Sequence, residues 1–380
     1  MKGTIRQRGR NSWQVRISRG YENGKKLLDE YTVRGTREDA EKFLRAKLHE
    51  IDKGSYTPPA RQTFQQHAET WLETYARTNL RPTTAESYEV LLRKHAFPAI
   101  GSIQLEKLTP QHLQRLYADK LAEGLSPRRV QYLHLVIHGC LKAAVKWGLV
   151  GRNVADAVDA PRPERREVPI LTSEDLDKLI RAAEGTDLEP VVLLAVGAGL
   201  RRGEALGLKW EDVDLDAGVV RVRRSLVPTK EGVRFQEPKT ARGRRTVALP
   251  PFVVDGLKRW RKRQAEVRLQ HGEKYRDQGL VCAREDGSPM PPASVTHRFE
   301  RLAAKAGFEG LRLHDARHGH ATVLLAQGVH PKVVQERLGH STISVTMDIY
   351  SHVMPGLQEE AARKLDEALN RARARSRRSS

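Results

Sequence analysis

The segment LRLHDARHGHAT, residues 311–322, places His314 and Arg317 three positions apart, on one face of a helical pattern. The spacing alone is a weak signal, because His-x-x-Arg recurs by chance. His318 and His320 crowd the same stretch, and His314 with His318 lie one turn apart. A zinc site would need a further soft or acidic ligand nearby, and none recurs, so no metal is expected. His318 and His320 read as structural or phosphate-adjacent residues.

Three other segments carry chemically capable side chains. GAGLRRGEALGL (197–208) puts Arg201 and Arg202 at the end of an apolar helical pattern spanning 189–207, with Glu204 three residues after Arg201 to orient it. EPKTARGRR (237–245) places Lys239 in a turn between two strand-like runs, with Lys230, Arg242, Arg244 and Arg245 close by. LGHSTISVTMDIYSHV (338–353) contains His340 and Tyr350. Most tyrosines are half-buried packing residues, so Tyr350 by itself decides nothing.

Composition narrows the class. A chain of 380 residues exceeds the size at which one core usually keeps growing, so two or three domains are expected. With 67 Lys+Arg against 47 Asp+Glu the net charge is +20, which points to a polyanionic partner, nucleic acid first. Cys140 and Cys282 are far apart and lack CxxC partners, which fits a reducing cytosol rather than a disulfide framework. The apolar run VVLLAVGAGL (191–200) is too short for a bilayer and reads as a buried helix; no membrane role is expected. There is no P-loop and no HExxH, so nucleotide hydrolysis and zinc-peptidase chemistry lose their usual signals, and no cofactor is expected.

The chain divides into modules. Residues 1–54 contain the strand-like runs TIRQR, WQVRIS and LLDEYTV, then a helix opened by a Thr36/Asp39 capping box. Arg6, Arg8, Arg10, Arg16 and Arg19 alternate with apolar positions, so one sheet face could be strongly basic. After a linker at 55–62, residues 63–158 carry four helical patterns, two of them opened by Thr-Pro or Ser-Pro pairs. Arg93, Arg128 and Arg129 give this bundle a basic side. A Pro-rich linker (160–169) leads to a larger module at 169–369, with a Thr172/Asp175 capping box, strand-rich runs near 218–249, and helix for the rest. Residues 370–380 are a basic, Ser-rich tail that would touch phosphates without specificity. The expected fold is mainly α with a small β-sheet in the third module and a three-stranded sheet in the first.

Taken together, the four motif segments resemble the tyrosine recombinase, or phage integrase, family of site-specific recombinases. The resemblance covers roughly residues 170–355, in motif order, spacing and local context, including the Leu-Gly-His before the last histidine. It assigns a catalytic set of Arg201, Lys239, His314, Arg317, His340 and the nucleophile Tyr350. The Gly-Leu-Arg pattern selects Arg201 over Arg202, which chemistry alone does not separate. The His340-to-Tyr350 interval is one residue longer than in some members. The resemblance further implies an arm-type DNA-binding domain at 1–54, a core-site DNA-binding domain at 63–158, and a homotetramer acting on two DNA duplexes. Strand exchange would run through a four-way junction inside a bacterial cytoplasm, in the service of a prophage or other mobile element. In such systems direction often depends on an accessory factor, an excisionase or a DNA-bending protein.

The chemistry explains why these residue types converge. Attack by a tyrosine hydroxyl on a DNA phosphodiester spreads negative charge over the non-bridging oxygens and expels a 5′ oxygen. Two fork-shaped guanidiniums, Arg201 and Arg317, can hold those oxygens, so no metal is needed for that charge. A phenol with an ordinary pKa near ~10 needs a proton acceptor, the role of His314. Lys239 would protonate the leaving oxygen, His340 would donate a hydrogen bond to the phosphate, and Glu204 would support Arg201. A type IB topoisomerase-like enzyme uses similar chemistry, and a non-catalytic regulator on the same scaffold is the other alternative.

Overall fold

The computed structural model describes residues 3–22, 25–53, 62–164, 169–229, 232–237, 243–344, 346–347, 362–363, 365–367 and 369–370, and for 19–22 and 25–26 it describes the backbone alone. Lys239, Tyr350 and the Asn23–Gly24 turn therefore lie outside the described residues. The chain separates into two compact units, Met1–Arg165 and Arg166–Ser380.

In the first unit, β1 (Gly3–Gly9), β2 (Ser12–Glu22) and β3 (Lys25–Arg34) form an antiparallel sheet in that order. Strand alternation sends Ile5, Val15, Ile17, Tyr31 and Val33 to one face, where they pack with Ala40, Phe43 and Leu44 of α1 (Arg37–Asp52). Thr36 and Asp39 form the anticipated capping box: the Asp39 amide donates to Thr36 Oγ1 at 3.2 Å and the Thr36 amide to Asp39 Oδ2 at 2.8 Å.

The helical patterns at 63–158 become α2 (Phe64–Trp71) and α3 (Arg77–Asn79), joined through a π-helical turn at Leu72–Ala76, then α4 (Pro82–Leu91) and α5 (Phe97–Ile100), joined through a second at Leu92–Ala96. α6 (Pro110–Ala122) and α7 (Pro127–Lys146) complete the bundle, each with proline at its first position. Phe64, Leu92, Leu113, Tyr117, Leu133 and Ile137 form its core.

The second unit is built around α9 (Glu189–Gly197), an all-apolar helix after its first residue that is buried along its whole length. α8 (Ser173–Ala183), α10 (Arg202–Leu206), α11 (Pro251–His271) and α13 (Leu313–Ala326) pack around it. β4 (Val213–Asp214), β5 (Val219–Val222) and β8 (Arg245–Ala248) make one antiparallel sheet, while β6 (Ser225–Thr229) and β7 (Gly232–Gln236) form a separate hairpin. α12 (Pro292–Lys305) and α14 (Pro331–Leu338) complete the described helices longer than one turn.

Two expectations are corrected. The single helix anticipated at 189–207 stops at Gly197, because Gly199 takes a left-handed φ of +65° and reverses the chain before α10 begins. Residues 275–291 are not helical; they form bridges pairing Lys209 with Leu280 and Ala283 with Pro289. A Cβ on Gly199 would lie 2.7 Å from Leu338 Cδ2 and 2.9 Å from His320 Cδ2, inside contact distance. Left-handed strain adds to that clash, so Gly199→Ala should destabilise the second unit by about 2 kcal/mol or more. A urea titration checks this, and an unchanged midpoint would contradict it.

Candidate active site

The site is organised by the carboxyl end of α14. A helix leaves its last carbonyls without intrahelical partners and concentrates partial negative charge there. α14 ends where Gly339 adopts a left-handed conformation, φ 66° and ψ 43°, the usual stop for a helix. From Arg337 to His340, four consecutive carbonyls each accept from a different side chain. Arg245 Nε donates to Arg337 O at 2.7 Å and Arg317 Nη2 to Leu338 O at 2.7 Å. Arg201 Nη2 donates to Gly339 O at 2.8 Å, and Gln335 Nε2 to His340 O at 3.3 Å.

Three guanidiniums thus meet at one helix terminus, and Glu204 is the carboxylate among them. Its Oε1 accepts from Arg201 Nη1 at 2.7 Å and Arg245 Nη1 at 3.2 Å. Its Oε2 accepts from the Arg201 amide at 3.0 Å and Arg245 Nη2 at 2.9 Å, with Arg317 Nη1 at 3.9 Å. Burial opposes its ionisation, but the hydrogen bonds and charge of Arg245, with Arg201, outweigh that and push its pKa down to about 2. Three cations against one anion leave an excess of positive charge.

Each arginine is placed by its own element. Arg201 stands at the entrance to α10, after the Gly199 turn, and its side chain is 38% exposed. Arg202 turns away and donates to Thr296 Oγ1 on α12, which separates the two arginines structurally. Arg317, on α13, is 2% exposed and also donates to Gly199 O. Burial first, and then the Arg201 charge, lowers its pKa to about 9, so it stays cationic at neutral pH.

The histidines beside this cluster are held neutral. His340 is buried, with Nδ1 3.0 Å from Thr346 Oγ1, and burial followed by Arg317 and Arg201 pushes its pKa down to about 3. When the Thr346 hydroxyl donates to Nδ1, the neutral ring carries its proton on Nε2 and can donate it outward. His314 keeps an exposed side and contacts the His318 ring edge-on at 4.5 Å between centroids. Burial, then His318 and Arg317, lowers its pKa to about 4. A neutral imidazole is the form that accepts a proton. An anion bound at the guanidiniums would oppose the Arg317 and Arg201 effects on both rings.

His320 has a structural role. Its Nδ1 lies 2.6 Å from Val196 O, and its Nε2 accepts from Arg337 Nε at 3.0 Å, which fixes one tautomer. Arg337 reaches on to Gly197 O at 3.0 Å, so this pair joins the end of α9 to α14. Arg245 and Arg337 were not singled out from the sequence; Arg245 was only one of several basic neighbours of Lys239. The expected DNA-contact residues are distributed as follows. Arg6, Arg8 and Arg16 share the sheet face opposite α1, where Arg8 Nε donates to Gln14 at 3.0 Å and Arg16 pairs with Glu30 at 2.7 Å. Arg10 lies in the turn between β1 and β2. Arg93 is paired with both Glu69 and Glu89, while Arg128 and Arg129 are exposed at the start of α7.

The comparisons with known proteins give this architecture its class. The phage integrase family model matches residues 169–356, and that of the phage integrase N-terminal SAM-like domain matches residues 63–122. The chain belongs to the phage integrase family and is a tyrosine-type site-specific recombinase. A "tyrosine recombinase XerC-like" protein of Caldanaerobacter subterraneus subsp. tengcongensis is 29% identical, over 94% of this chain and 97% of its own. An integrase of Saccharopolyspora erythraea is 25% identical over 93% of both chains. The fold is shared with the Tn1549 transposon integrase in complex with a circular intermediate DNA, TM-score 0.68 at 20% identity, over 80% of this chain and 99% of that one. It is also shared with a lambda integrase tetramer bound to a Holliday junction, TM-score 0.57 at 18% identity, over 91% and 94%. Among the described residues no helix is long and apolar enough to cross a membrane.

The pKa values set a sign for acid stability. His320 and His340 are lowered from 6.5 to about 4 and about 3. Below pH 6.5 the unfolded chain therefore binds more protons than the folded one, and stability present above that pH is lost as pH falls toward the folded values. The urea midpoint of the second unit should drop from about pH 7 to about pH 5, with a shallower drop in His340→Gln. A midpoint flat across that range would contradict these assignments.

Proposed function

We propose that this chain is the integrase of a prophage or other mobile element, cutting and rejoining double-stranded DNA through a 3′-phosphotyrosine at Tyr350. The observation that carries the reading is the convergence of Arg201 and Arg317 on the α14 terminus beside two neutral histidines. In each guanidinium two of five N–H groups are engaged in the bonds described, leaving donors for the non-bridging oxygens of a phosphodiester. The Tyr350 oxygen attacks phosphorus while its proton passes to His314. The bond to the 5′ oxygen breaks, that oxygen takes a proton from Lys239, and His340 donates to the phosphate. Reversal with a different 5′ hydroxyl rejoins the strand, so no nucleotide triphosphate is consumed.

Other elements supply grip and assembly. The face bearing Arg6, Arg8 and Arg16 acts as an arm-site reader, with Arg10 at its edge. Arg128 and Arg129 approach core-site phosphates, and Arg93, held by two glutamates, contributes less. Four copies act on two duplexes, an arrangement supported by the lambda integrase tetramer on a Holliday junction. The reaction takes place on cytoplasmic, nucleoid DNA, with an excisionase or DNA-bending accessory factor setting direction.

A nicked suicide substrate tests this reading, because the cleaved strand loses its attacking 5′ hydroxyl and the covalent adduct accumulates. Wild-type protein should form a 3′-linked adduct, Tyr350→Phe should form none, and Arg317→Ala should slow adduct formation by about a hundredfold or more. Adduct formation by Tyr350→Phe would show that the nucleophile is misassigned.

A further inference from the structure

Arg245 lies outside the residue set of the proposed reaction, yet it is as thoroughly committed as any member of it. It is the first residue of β8, paired with Val222 of β5, and its side chain is 7% exposed. Nη1 and Nη2 straddle the Glu204 carboxylate at 3.2 and 2.9 Å, and Nε holds Arg337 O at 2.7 Å. This one guanidinium ties the strand to Glu204 and to the residue three before His340.

From this geometry we infer that Arg245 is a positioning residue: it saturates Glu204 so that Arg201 and Arg317 stay available to a scissile phosphate. The inference rests on the recombinase reading. Glu204 already sits 3.9 Å from Arg317 Nη1. Without the Arg245 fork, Oε2 loses a partner inside a poorly solvated cluster, where an incompletely paired carboxylate is costly. Arg201 is already bonded to Oε1 at 2.7 Å, so the Arg317 guanidinium, 3.9 Å from Oε2, closes onto the vacated oxygen. A short ion pair would then absorb charge that the phosphoryl-transfer transition state requires. The defect is thus directed at the non-bridging oxygens rather than at the leaving group. A lysine keeps the charge but not the planar fork, so it cannot hold both carboxylate oxygens and the Arg337 carbonyl at once.

The test compares wild type, Arg245→Met and Arg245→Lys on three suicide substrates. One has a normal scissile phosphodiester. The second has a methylphosphonate, in which a methyl group replaces one charged non-bridging oxygen. The third has sulfur at the bridging 5′ position, which leaves without needing a proton. On the normal substrate both variants should cleave about a hundredfold more slowly, with DNA affinity within about twofold of wild type. That loss should shrink by about tenfold or more on the methylphosphonate and persist in full on the sulfur substrate. A loss equal on all three, tracking a lowered urea midpoint, would reduce Arg245 to general structural support. A loss relieved by sulfur would place its effect on proton donation by Lys239. Full activity in Arg245→Lys would remove the need for the fork, and normal cleavage by Arg245→Met would sink the inference outright. Failure of wild type to form any adduct would instead overturn the recombinase reading.

Discussion

The capping of the α14 carboxyl end by guanidiniums is the interaction on which the second unit depends. Helix termini usually settle their unpaired carbonyls with a glycine turn, water or one basic side chain. Here Arg245, Arg317 and Arg201 take the carbonyls of Arg337, Leu338 and Gly339 in succession. The negative end of the helix dipole makes the crowding of like charges tolerable, and Glu204 offsets part of the rest. What is left is a site with more positive than negative charge.

That assembly draws on parts of the second unit far apart in the chain. α9 is apolar all round and forms the centre of the core, so its end has a defined position. The left-handed turn at Gly199 then brings Arg201 to the cluster and offers its own carbonyl to Arg317. His320 and Arg337 bind the end of α9 to α14 from the other side. Mechanism follows from this frame. In the proposed reaction the guanidiniums hold the phosphate, and the neutral imidazoles of His314 and His340 exchange or share protons around it.

Much of this was legible in the sequence. Capping boxes at Thr36 and Thr172, proline-started helices and the apolar run at 191–200 are local signals, and the structure contains the corresponding elements. The chemistry-bearing residue types were legible too, because His-x-x-Arg and Leu-Gly-His occur in recognisable order. What was not legible depends on long-range pairing. Arg201 meets Gly339 and Arg317 meets Gly199 across more than a hundred residues, with no local pattern to announce either. In the run RGRR nothing separates buried Arg245 from exposed Arg244 until β8 is paired with β5. The helix break at Gly199 was hidden inside an apolar pattern that reads as continuous. Lys239 and Tyr350 stand outside the described residues, so their roles rest on the family motif and the chemistry.

The central claim is that the three guanidiniums are fixed at the helix terminus in the protein alone. Nitrogen-15 NMR of the arginine Nε–H groups in DNA-free protein tests it most directly, with Arg201, Arg245 and Arg317 assigned by single substitution. Slowly exchanging, individually resolved Nε–H signals for Arg245 and Arg317 in the absence of DNA are expected. Rapidly exchanging, averaged signals that become resolved only when DNA is added would show that the substrate, not the helix end, builds the site.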